Sequence, residues 1–214
     1  MTRTDEWTRP HLATSALLLI DVQEDFLDGG AMPVAGTTEL LPQLAELAAA
    51  FREASRPVFH VIRLYAGDDV DLVRRAAVAS GVAPVRPGSG GSRVPSGLLG
   101  REVEPDPDVL LTGAVQSVGP AEWLLWKPRW SAFHRTALDE LLRELGVDTV
   151  VVAGCNFPNC PRATIFDASA RDYRVVMVAD ATSGVTQERW NDLIAVGAFG
   201  ATTAQMVAEL RSLS

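Results

Sequence analysis

Apolar residues recur along this chain in two rhythms that alternate from one end to the other. Predominantly apolar runs at Ser15–Val22 (SALLLIDV), Pro57–Leu64 (PVFHVIRL), Trp123–Trp126, Thr149–Ala153 (TVVVA) and Tyr173–Ala179 (YRVVMVA) have the length of buried strands, and most are rich in β-branched residues. Between them the spacing changes to three and four. Thr38–Ser55 carries Leu40, Leu41, Leu44, Leu47 and Phe51 at helical intervals, and Arg56-Pro57 ends it. Thr136–Leu145 reads as an amphipathic helix, with Thr136 and Asp139 in the spacing of a capping box and Gly146 as terminator. Arg162–Arg171 and Gln187–Val196 follow the same period, Val70–Val82 predicts a short helix, Ala201–Met206 a last short strand, and Val207–Leu213 a tail. Strands that alternate with helices predict a doubly wound, three-layer α/β/α fold around a mainly parallel sheet of about six strands.

Breakers interrupt this pattern at Pro84–Gly100, and Pro105–Pro120 mixes apolar residues with them. The first segment is rich in glycine but lacks the lysine of a phosphate-binding loop, so it reads as a lid or a plain connection rather than a nucleotide site. No internal repeat is evident. The 214 residues fit one domain over 1–214, with 1–14 as a flexible N-terminal extension. A net charge of −8 without a basic cluster argues against nucleic acid or an anionic membrane as partner. The polar start MTRTDEWTRPH has no apolar signal core and no run reaches spanning length, so the expected location is the cytoplasm.

Three reactive side chains fall at the carboxyl ends of predicted strands: Asp21, Lys127 and, beyond the loop Cys155-Asn156-Phe157-Pro158-Asn159, Cys160. In a parallel sheet these ends share one rim, where ligands bind. Each has a plain reading too: a turn-forming aspartate, a solvated lysine, a small buried cysteine. Pro161 directly behind Cys160 suggests a helix start, with Cys160 at the N-cap and its thiol acidified by the helix dipole. Two cysteines are too few for a disulfide framework; Cys155 reads as structural, and His60 as a core or supporting residue.

The ordered blocks Leu18–Phe26 (LLIDVQEDF), Lys127 with Trp130–Phe133, Leu138–Gly154, Cys160 with Thr164 and Asp167-Ala168, and Val178–Ala181 carry a resemblance. The chain is similar to the isochorismatase-like cysteine hydrolases, the superfamily of nicotinamidase, N-carbamoylsarcosine amidohydrolase and isochorismatase. The resemblance implies a catalytic triad of Asp21, Lys127 and Cys160, and an oxyanion hole at the N–H groups of Asn156 and Cys160 with a cis bond between Cys155 and Asn156. It further implies pocket positions for Gln23, Phe26 and Trp130, a small-molecule substrate, and a homodimer or homotetramer. The chain departs from the family where Pro161 replaces the common valine after the nucleophile, and in two further places. Where nicotinamidases carry an Asp-x-His metal motif it reads Arg63-Leu64-Tyr65, so no metal or other cofactor is expected; and Phe157-Pro158 replaces small residues before the nucleophile, which points to a reshaped pocket wall.

The leading expectation is a metal-independent hydrolase that cleaves a C–N bond (amide, lactam or carbamoyl) through a Cys160 thioester. Vinyl ether hydrolysis on the same fold is the alternative. A thiol redox protein using Cys155 and Cys160 fits less well, since their spacing is not C-x-x-C and leaves Asp21 and Lys127 without a role. A binding protein with a vestigial site fits least.

Overall fold

Side chains of the first strand part to opposite sides. Leu17 and Leu19 enter one core, while Ala16, Leu18 and Ile20 enter another. The same period of two splits the later strands, with Val151 and Val176 on the first side and Val150, Val152, Val175 and Met177 on the second. A strand buried on both faces needs apolar residues throughout, which is why these runs lack the polar alternation of a half-exposed sheet. The computed structural model describes residues 6–213.

In chain order the elements are β1 (Ser15–Ile20), α1 (Leu41–Glu53), β2 (Val58–Ile62), α2 (Arg75–Ala79), α3 (Ser96–Leu99), α4 (Pro107–Leu110), β3 (Gln116–Gly119), β4 (Glu122–Trp126), α5 (Leu138–Glu144), β5 (Thr149–Gly154), α6 (Cys160–Ser169), β6 (Arg174–Thr182), α7 (Gln187–Ala195), β7 (Phe199–Ala201) and α8 (Thr203–Arg211). The sheet runs β3-β4-β2-β1-β5-β6-β7, parallel except for the β3–β4 pair. Helices α1 and α8 cover one face through Leu44, Leu47, Phe51, Met206, Val207 and Leu210. Helices α5, α6 and α7 cover the other through Leu138, Leu142, Ile165, Ala168 and Leu193. No helix among the described residues is long and apolar enough to cross a membrane.

Seven strands replace the expected six. The added β3 is a short edge strand that buries only Val118, so it leaves no apolar run in the sequence. At the other edge, the strand expected over Ala201–Met206 is instead the end of β7 and the start of α8. Thr202 and Gln205 close a capping box there, and Asp180 Oδ1 accepts from Thr203 N at 2.7 Å, so polar groups at the helix start override a short ambiguous apolar pattern. The capping box expected at Thr136 does not form. Thr136 Oγ1 donates to Ala132 O at 2.5 Å, and Asp139 accepts from the Tyr173 hydroxyl at 2.8 Å. Residues 1–5 of the expected flexible extension lie outside the described residues. Its later part is tied down, with His11 N donating to Thr149 Oγ1 at 3.0 Å and the Thr14 hydroxyl to Asp148 at 2.7 Å.

Two local features hold the sheet in place. Gly154 ends β5 at φ +116°, and a Cβ there would stand 2.3 Å from Ile20 O, so only glycine allows β5 to lie this close to β1. Farther from the strand ends, His60 Nε2 meets Glu122 Oε1 at 2.6 Å, and Arg52 donates to the same carboxylate through Nε and Nη2. This fits the supporting role expected of His60. Burial pushes the His60 pKa down against the opposing pull of Glu122. His60 Nδ1 has no partner, which assigns the ring proton to Nε2. Burial would raise the Glu122 pKa, but His60 and Arg52 hold it down to about 2.

Gly154→Ala is expected to cost more than about 2 kcal/mol in denaturant unfolding, because it combines a disfavoured φ with a backbone clash; a loss below about 1 kcal/mol would show that β5 can relax. The Glu122 cluster sets an acid limit. An unfolded histidine gains a proton below its ordinary value of 6.5 while native His60 resists, and native Glu122 stays ionised between its ordinary 4.5 and about 2. The unfolded chain therefore binds more protons, and stability falls as pH drops from about 6.5 toward 2. Stability measured against pH should fall less steeply below 4.5 in Glu122→Gln; equal slopes would remove Glu122 as a cause.

Candidate active site

Adjacent strands β4, β2 and β1 each end in a charged residue: Lys127, Arg63 and Asp21 in turn. The neighbouring β5 continues instead through the 155–159 loop into α6 and Cys160. All four side chains gather at the carboxyl rim, and all are buried, with Asp21 and Cys160 each 5% exposed. Asp21 sits at φ 52°, a left-handed conformation that costs an L-residue about 1 kcal/mol or more and that aspartate tolerates better than most.

Lys127 Nζ donates to Asp21 Oδ2 at 2.9 Å. Asp21 Oδ1 lies 3.9 Å from Arg63 Nε and has no hydrogen-bond partner, so one carboxylate oxygen is engaged and the other has spare acceptor capacity. Arg63 Nη2 stands 3.5 Å from the Cys160 sulfur, and Nη1 pairs with Asp71 Oδ2 at 2.6 Å. The guanidinium also faces the rings of Trp130 and Tyr65, 5.3 and 5.8 Å from their centres. Burial would lower the Arg63 pKa, but the charges of Asp21 and Asp71 oppose it and the pKa is raised.

The thiol does not follow the expectation of an acidified N-cap cysteine. Asn159 is the N-cap, Cys160 the first helical residue and Pro161 the second. Proline is tolerated there as well, because the N–H groups of a first turn have no intrahelical acceptor. Burial pushes the Cys160 thiol up, the Asp21 charge adds to this, and Lys127 and Arg63 pull the other way. Cys160 therefore rests as a thiol and needs a base. Cys155, expected to be structural, is buried at the cavity wall, and burial pushes its thiol up to about 12.

A cavity of about 180 Å3 opens onto this group, lined by Asp21, Arg63, Cys160 and Trp130 together with Phe26, Met32, Val34, Tyr65, Arg74, Cys155, Asn156 and Asn159. Of the expected pocket residues, Phe26 and Trp130 line it and Gln23 does not. Gln23 is fully buried and clamps the backbone that carries Arg63, giving its amide protons to Arg63 O and Ser92 O and accepting from Arg63 N at 2.7 Å. Asn156 and Cys160 are both at the wall, and neither N–H donates to another backbone carbonyl among the described residues. The peptide bonds of the described residues are all trans, Cys155–Asn156 included. Phe157 packs into the core under α6, and Pro158 lines a shallow groove outside the cavity, so the pair does not form the pocket wall.

Arg63 and Arg74 are the charged cavity residues that the sequence reading missed. Arg63 had the same signal as Asp21, a charge closing an apolar strand. Among the described residues no cluster of three His, Cys, Asp or Glu side chains is placed to hold a metal ion.

Residues 15–207 match the model of the isochorismatase domain. The chain belongs to the isochorismatase family. A solved isochorismatase family protein from Desulfovibrio vulgaris is 35% identical, with a TM-score of 0.78 over 92% of this chain and 98% of that one. A probable inactive nicotinamidase of Arabidopsis thaliana is 35% identical over 179 residues, 81% of this chain and 83% of its own. A ureidoacrylate amidohydrolase of Methylobacterium radiotolerans is 30% identical over 185 residues, 79% of this chain and 67% of its own.

Cys160 is faced by Asp21, Lys127 and Arg63, so replacing Arg63 should change how readily the thiol ionises. Arg63→Gln is expected to move the pH profile of Cys160 alkylation by iodoacetamide upward by about one unit or more, with Arg63→Lys in between. The double variant Arg63→Gln/Asp71→Asn, which leaves no unpaired carboxylate, should keep the shift. An unmoved profile in both would remove Arg63 from the thiol's electrostatics.

Proposed function

We propose that this chain is a metal-independent cysteine hydrolase that cleaves the C–N bond of a small amide, lactam or carbamoyl compound through a thioester on Cys160. The observation that carries this reading is the free Oδ1 of Asp21 in a cavity shared with a protonated, buried thiol. A thiol with a raised pKa is a poor nucleophile alone, and a carboxylate beside it supplies the base. As Asp21 takes the proton, negative charge moves to sulfur, where Lys127 and Arg63 stand ready. The thiolate adds to the carbonyl carbon. The oxyanion would be received by the N–H groups of Asn156 and Cys160, and loss of one such donor typically slows catalysis by about 10²–10³.

Collapse of the adduct expels the amine, which leaves with the proton held by Asp21. Water then attacks the thioester with Asp21 again as base, which releases the acid and restores the thiol. The amidohydrolase activity named for the Methylobacterium relative supports this bond class. Lys127 has no exposed surface, and its 2.9 Å contact with Oδ2 fixes the orientation of the Asp21 carboxylate.

On a panel of small primary amides and ureido acids, the wild type should release ammonia or amine. Cys160→Ala should lose at least about 10³ in kcat, and Asp21→Asn a similar amount. Stopping turnover with acid should leave an acyl adduct on the Cys160 peptide by mass spectrometry. Equal turnover by wild type and Cys160→Ala would end the thiol mechanism.

A further inference from the structure

Beyond the groups used above, the cavity holds one more cation. Arg74 closes the short turn Leu72–Arg74, between Asp71 and α2, and lines the same cavity as Cys160. Its charge reaches the Tyr65 hydroxyl on the cavity wall. Unlike Arg63, it has no carboxylate partner among the described residues. Asp71 gives Oδ2 to Arg63 and keeps Oδ1 unpartnered, and Asp69 pairs with Arg129 and Arg135; neither lies within ion-pair distance of Arg74. Arg74 Nε is buried with no hydrogen-bond partner at all. A guanidinium that loses water on one side and gains no acceptor bears a desolvation cost that an incoming anion would relieve.

The local charge balance points the same way. Behind the lining, Lys127 offsets Asp21 and Asp71 offsets Arg63, which leaves Arg74 as the uncompensated charge. A cavity with a positive excess is unusual in a chain of net charge −8, and low-dielectric walls focus such a field on the ligand. A cavity of about 180 Å3 suits a small molecule.

We propose that Arg74 anchors a carboxylate of the substrate, so that the compound hydrolysed at Cys160 is a small acid carrying an amide or carbamoyl group a few atoms away from its carboxylate. This rests on the hydrolase reading for the bond cleaved but not for the anion bound. The planar guanidinium suits bidentate recognition of a carboxylate, and its fixed place in the cavity would decide which carbonyl is presented to the sulfur.

Succinamate and its methyl ester have the same amide and differ in charge, so they test the subsite directly. The wild type should favour the acid over the ester in kcat/KM by at least about tenfold, the scale of one charge-assisted contact. Arg74→Gln should bring that ratio close to one, mainly through KM, while Arg74→Lys keeps part of it. A ratio that survives in Arg74→Gln, or a wild type that favours the ester, would overturn the proposal. A second readout is independent of turnover. Succinate should protect Cys160 from iodoacetamide at a concentration at least about tenfold lower in wild type than in Arg74→Gln. Protection without hydrolysis of any amide would sink the hydrolase reading and keep the anion site; hydrolysis with equal protection in both proteins would do the reverse.

Discussion

The contact on which the site depends is the buried ion pair between Lys127 and Asp21. An ammonium and a carboxylate taken out of water lose several kcal/mol of hydration each, and their attraction rarely returns more than that. Such a pair is thus poor evidence for stability and better evidence for a task. Here the pair holds the Asp21 carboxylate at the end of β1 by one oxygen and leaves the other without a partner, facing Arg63 and the cavity.

Around that pair the charges form a chain from Asp71 through Arg63 to Cys160 and Asp21, ending at Lys127. Signs largely alternate along it, so moving one proton from sulfur to carboxylate leaves the new anion flanked by two cations. The fold makes this arrangement possible because β4, β2 and β1 are neighbours and parallel, and their carboxyl ends coincide. Gln23 adds rigidity: its amide fixes the backbone on both sides of Arg63, which sets where the guanidinium enters the cavity.

How much of this was legible in the sequence follows from which signals are local. Buried strands announce themselves as apolar runs, and Asp21, Lys127 and Cys160 stood out because each ends such a run or follows it. The alternation with helices then gave the layered fold. Less legible were elements whose identity depends on partners far away in the chain. β3 is a strand only because β4 pairs with it, and α8 is a helix partly because Asp180 caps it from β6. The family resemblance placed Gln23 in the pocket. Its amide is used instead on β2 and the Ser92 turn, which no local pattern encodes.

The pKa of the nucleophile shows the same division. A proline behind a cysteine does locate a helix start, and a helix dipole alone would favour the thiolate. Three-dimensional burial is stronger here, and with the Asp21 charge it keeps the resting sulfur protonated. That reversal changes the mechanism the site can support. In the proposed mechanism a cysteine already ionised at rest would need only an oxyanion hole, whereas a protonated one needs a carboxylate with a vacant acceptor, such as Asp21 Oδ1. The same reasoning separates the two arginines. Arg63, paired with Asp71 and set over the Trp130 ring, is part of the fixed electrostatic frame, whereas Arg74, with Nε unpartnered, is the charge proposed to meet a ligand.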